Sequence, residues 1–137
     1  MKKLPNKPSK LLKRALKDLE AVEVDDNYVI DMAIYHQTPR GSDECHVCLA
    51  GSAMAKSLKA EPNAERVPNN YDDKVKGKLI ALDCFRAGII DNALMFMSRP
   101  IPHTLPRRVD VTPYKKSPKR FKKDMKKIIK LLKKAGL

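Results

Sequence analysis

Two cysteines stand three positions apart in Cys45-His46-Val47-Cys48, the spacing of a zinc-ligand pair. His36, His46, His103 and Cys84 are the other donors available to such a centre. Closed structural zinc sites carry two close pairs, and this chain has one. Cys45, Cys48, Cys84 and His36 are therefore zinc candidates set against a plainer role, as small buried groups at a tight strand-to-helix junction. The same pair reads as a redox dithiol if Cys45 opens a helix, where a thiol pKa falls, but the βαβ surroundings of such motifs are missing. The doublets Asp25-Asp26 and Asp72-Asp73 sit where a turn or a helix start accounts for them. The five glycines, Gly41, Gly51, Gly77, Gly88 and Gly136, are scattered, so no loop cradles a phosphate. These residues point away from catalysis and call for no cofactor.

The cations carry a stronger signal. Residues 1–22 hold seven Lys or Arg against two Asp or Glu, and residues 23–97 hold eight against twelve. Residues 98–117 hold five against one, and residues 118–137 hold nine against one. A mildly acidic centre is thus flanked by strongly basic ends, and the whole chain carries +13. Phosphates are one partner for such ends. The competing reading docks the basic ends on the acidic centre and leaves surplus lysines in solvent. The candidate nucleic-acid contacts are Arg99, Arg107 and Arg108, then Lys115, Lys116, Lys119, Arg120, Lys122 and Lys123, then Lys126, Lys127, Lys130, Lys133 and Lys134. The last twenty residues hold eight lysines and one arginine. Arg reads guanine edges by paired bonds whereas Lys acts as a point charge, so such contacts favour the backbone over base sequence. Aromatics for stacking are few, with Tyr71 and Tyr114 the more exposed ones expected, which argues against a dedicated single-strand binder.

The stretch Asp31-Met32-Ala33-Ile34-Tyr35-His36, followed by Cys45-His46-Val47-Cys48-Leu49-Ala50-Gly51-Ser52-Ala53-Met54-Ala55, has a familiar pattern. So does Lys78-Leu79-x-Ala81-Leu82-Asp83-x-x-Arg86-x-Gly88. Together they resemble small proteins of tailed bacteriophages for which no activity is established. The resemblance spans residues 28–98 and leaves the basic ends outside it. It implies phage origin and expression in a bacterial cytoplasm. It also implies a tight junction at Cys48, Leu49, Ala50 and Gly51, where a glycine lets two elements approach.

Periodicity assigns the elements that must place these groups. Ser9 is expected to cap a first helix running to Val22, with Leu12, Leu16 and Leu19 on one face and Lys10, Lys13, Arg14 and Lys17 on the other. Alternation over Tyr28 to His36 predicts one strand. Residues 45–49 read as a second strand or the opening turn of a helix, and Ala50 to Leu58 as helix. Residues 59–70 read as a surface loop whose Asn70 caps a central helix from Tyr71 to Ala87, stopped by Gly88. A short helix is expected within 89–97. Pro100, Pro102, Pro106 and Pro113 make residues 98–116 an extended arm. Ser117-Pro118 marks the start of a last helix with Phe121, Met125, Ile128, Ile129 and Leu132 on one face and Gly136 closing it.

The expected fold is therefore α+β and mainly α, a small helical domain with a two- or three-stranded sheet and an amphipathic basic C-terminal helix. Residues 1–22 form a basic helix, 23–98 the core, and 99–137 an arm and helix against it, all as one globular unit. The chain has 137 residues, 42% of them apolar, enough to bury a core. No apolar run spans a membrane, and the start lacks the apolar stretch of a secretion signal, so a cytoplasmic protein with reduced thiols is expected. A lysine face opposite Phe, Ile and Leu also fits a membrane surface, but the missing Trp and the modest stripe count against it. The leading function is non-enzymatic binding of DNA or RNA by a phage accessory protein. The alternatives are an inhibitor docking on an acidic host protein and a virion or assembly protein lying against packaged DNA.

Overall fold

The computed structural model describes residues 3–60, the backbone of 63–64, and residues 71–137. Helix α1 spans Pro8–Glu23. Proline at its first turn presets the backbone and needs no donor there. Leu11, Leu12, Ala15, Leu16, Leu19 and Val22 are buried along one side, while Lys10, Lys13 and Lys17 stay exposed. Ser9 is not the cap. It lies inside the helix, and its hydroxyl donates to the Leu137 carbonyl at 3.0 Å, tying the start of α1 to the far end of the chain. Lys7 takes the cap position without a side-chain bond.

The strand expected over residues 28–36 is two strands. Strand β1 is Tyr28–Ile30 and β2 is His36–Gln37. Asp31 separates them, because its carboxylate accepts from the Ala33 N–H at 3.0 Å and its carbonyl from the Ile34 N–H at 3.1 Å. That local turn competes with the ladder. Strand β3, Cys45–Val47, pairs parallel with β1 and antiparallel with β2. A two-residue β4, Asn63–Ala64, extends the far edge, giving the order β1-β3-β2-β4. The class is α+β, mainly α, with a small mixed sheet.

Helix α2, Leu49–Lys56, follows β3 directly. The first turn of α2 admits only glycine at 51, since a Cβ there would lie 1.3 Å from the Tyr35 carbonyl oxygen. Helix α3 spans Asp73–Arg86 and is capped by Asp72, whose carboxylate accepts from Val75 N–H at 2.9 Å. Asn70 and most of the expected 59–70 loop lie outside the described residues. Gly88, at φ +77, stops α3 as expected and lets Val109 bond across it. Helix α4 is Ile90–Phe96 and α5 is Pro118–Lys134.

Helix α1 packs on α2, α3, α5 and β1, and α3 packs on α2 and α4. The centre is thus shared by α1 and α3 rather than held by α3 alone. One main cluster runs from Leu4 to Leu137 through every helix, and a smaller one joins Val22, Cys45 and Val47. The proline arm lies across the domain. Its Arg107 carbonyl accepts from the Ile90 and Asp91 N–H groups, and Val109 N–H donates to Gly88 at 2.9 Å. No helix of the described residues is long and apolar enough to cross a membrane.

Candidate nucleic-acid interface

Helix α5 is placed by its ends and its stripe. Ser117 accepts from the Arg120 N–H at 3.2 Å, and Pro118 begins the helix. Phe121, Met125, Ile128, Ile129 and Leu132 are all buried. Each such side chain stabilises the docked helix by about 1.5–3 kcal/mol. The stripe is spent on the core. Lys119, Arg120, Lys123, Lys126, Lys127, Lys130, Lys133 and Lys134 are exposed.

Helices α1 and α5 run antiparallel. Leu137 meets Ser9 at one end. At the other, Lys122 pairs with Glu23 at 2.9 Å, and the Tyr114 hydroxyl donates to the same carboxylate. Glu23 thereby binds arm, α1 and α5 together. Burial and the Glu23 charge both push the Tyr114 phenol up from its usual range. Its ring meets Phe121 edge-on at 5.6 Å, so this tyrosine is structural and half-buried rather than open for stacking.

Between the two helices lies a groove of about 370 Å³. Lys13 and Lys17 of α1 rim one side, and Lys126, Lys130 and Lys133 of α5 rim the other. Leu16 and Ile129 form its floor, and Glu20 is the one carboxylate that lines it. Lys126 to Lys133 advance about 10 Å along the helix at ~1.5 Å per residue. Among the described residues, Lys122 is the α5 cation held in an ion pair. Docking of the basic ends on acidic groups thus accounts for Lys122 and not for the rest of the face. Asp124, the one acid of α5, accepts from the Thr112 N–H at 2.8 Å and anchors the arm.

The arm cations sit elsewhere. Arg99 and Arg107 line a separate hollow with Asp91, Met95 and Ile101, and the Arg99 guanidinium donates to the Asn6 carbonyl at 3.2 Å. Arg108, Lys115 and Lys116 are exposed on the arm. The cations grouped by sequence are therefore divided between the groove and the arm. Pairing of Lys13 and Lys17 with the α5 row was invisible in sequence, because it depends on which helices become neighbours.

The cysteines resolve differently from their spacing. Cys45 lies in β3, not at a helix start, and packs with Val22 and Val47. Cys48 is the group at the α2 start, and its sulfur accepts from the Gly51 N–H at 3.3 Å. Burial outweighs that bond and pushes the Cys48 thiol up to about 11, away from nucleophilic character. Burial raises Cys45 and Cys84 as well. His36 is buried beside β3, and Cys84 is half-buried in α3. Among the described residues no three His, Cys, Asp or Glu side chains converge as a metal site. Comparison of the chain with models of protein families, with curated proteins and with solved structures found no match.

Proposed function

We propose that this protein binds nucleic acid through its backbone phosphates, using the α1–α5 face. The observation that carries the reading is the groove rimmed by Lys13, Lys17, Lys126, Lys130 and Lys133, with one carboxylate among them. A duplex presents one phosphate per ~1.7 Å of axis, so about six phosphates fall along ~10 Å of this face. Five ammonium groups on a rigid two-helix platform suit that density. Their being lysines favours charge over base identity. The phage resemblance supports a non-enzymatic accessory role beside the genome or its transcripts.

Fluorescence anisotropy with labelled duplex DNA, single-stranded DNA and RNA across a salt series tests this. Binding is expected with log K falling steeply against log salt; a slope near −5 corresponds to about five or six neutralised phosphates at ~0.9 each. Lys126→Glu, Lys130→Glu and Lys133→Glu should each weaken binding and flatten the slope. Lys13→Glu and Lys17→Glu should do so equally, although they lie over a hundred positions away in sequence. Absence of binding to all three probes at ~50 mM salt, where phosphate contacts are strong, overturns the reading.

A further inference from the structure

A second cleft, of about 670 Å³, lies away from the lysine groove. One wall is Val29, Ile30 and Asp31 of β1 and its turn, and the other is the arm from Val111 to Lys115. Successive side chains of a strand point to opposite faces, so a cleft lined by three consecutive residues runs along the strand edge. The hydrogen bonds fix that edge. Cys45 N–H donates to the Asn27 carbonyl and Asp31 N–H to the Val47 carbonyl, each at 2.8 Å. Residues 27, 29 and 31 thus turn their backbone toward β3 in the parallel ladder. Ile30, between them, turns its N–H and C=O to the opposite side. Among the described residues β1 is the terminal strand, so no strand pairs there.

We infer that this cleft takes an extended acidic peptide segment of a partner protein, which adds a strand to the β1 edge beneath the arm. An N–H and C=O presented side by side along a strand select an extended backbone, whose own amides complete the ladder. The volume lies within the range of built ligand clefts. Val29, Ile30, Val111 and Phe121 supply apolar walls for alternate side chains. Charge selects the others. Lys115 is exposed on the rim, and Arg86 lines the cleft, its Nε donating to Asp83 at 2.8 Å and its remaining guanidinium N–H groups making no bond among the described residues. Asp31, the acid in the wall, is occupied by the Ala33 N–H and by His46 at 3.5 Å. This site is independent of the nucleic-acid reading and leaves the α5 lysines free.

The test uses the full chain, labelled with nitrogen-15, and an array of seven-residue peptides alternating Asp or Glu with each apolar residue. A matched array carries Lys or Arg at the acidic positions. The strongest acidic binder is expected to move the amide signals of Ile30 and of residues 111–115 and to slow exchange of the Ile30 N–H. Methylating the central backbone nitrogens of that peptide should abolish binding. Lys115→Glu, an exposed change that leaves the core intact, should weaken it by about two- to fivefold, the range of a rim charge pair. A bound duplex DNA should not displace the peptide. Four outcomes overturn the proposal: no acidic peptide binds, the basic array binds as well, shifts map to the α5 lysines, or the methylated peptide still binds.

Discussion

Gly51 shows how one residue can hold a junction together. Its Cβ position is filled by the Tyr35 carbonyl, a backbone atom that cannot swing aside. Gly51→Ala must therefore push α2 away from the turn before β2, and overpacking of this kind costs about 1–3 kcal/mol or more. Thermal unfolding of the variant should occur at least several degrees lower, while substitution at the exposed Gly41, where a Cβ meets nothing, should cost only the backbone strain of its φ of +83, about 1–2 kcal/mol. The Cys-x-x-Cys spacing is explained at this same scale. One thiol fills the space between Val22 and Val47, and the other caps a helix. Sequence could name both uses of such a pair but could not choose, because burial on two different clusters is a property of the fold.

Among the elements, α5 was the most legible, since its cap, proline, stripe and closing glycine all agree. Ser117→Ala should cost about 1 kcal/mol by removing the acceptor for Arg120 N–H. The loss should appear as faster amide exchange over the first turn of α5, with α3 unchanged. The 28–36 segment was legible in its apolar alternation but not in its break. Asp31 costs the ladder nothing in a pattern of side chains, and only its bonds to Ala33 and Ile34 reveal the turn. The α1 start departs from its local signals for a related reason. Ser9 is a good cap in isolation, but its hydroxyl is claimed by a carbonyl 128 residues away. Local rules locate helices well, and lose to tertiary partners at their ends.

For the whole molecule the net charge of +13 sets the balance. Ion pairs such as Lys56–Asp25 at 2.7 Å and Lys122–Glu23 at 2.9 Å favour the fold at low salt. Among the described residues they are outnumbered by cations on the α1–α5 face that make no ion pair. Screening should therefore stabilise the protein. Raising NaCl from ~0.01 M to ~0.5 M shortens the range of repulsion several-fold, and the melting temperature should climb by a few degrees. A fall would mean that the ion pairs dominate. The lysine face was legible in sequence as charge. Its shape was not, because the groove exists only where α1 meets α5.

That meeting also has an order in time. Helix α1 ends at Glu23 and α5 begins at Pro118, so roughly 95 residues must be translated before α5 even begins to be made. At about 5–20 residues per second this takes about 5–20 s. Throughout that interval the nascent chain carries α1 with its α5-facing side uncovered, and its lysines emerge beside the phosphate-rich ribosome. The interface is completed only when the last helix leaves the exit tunnel.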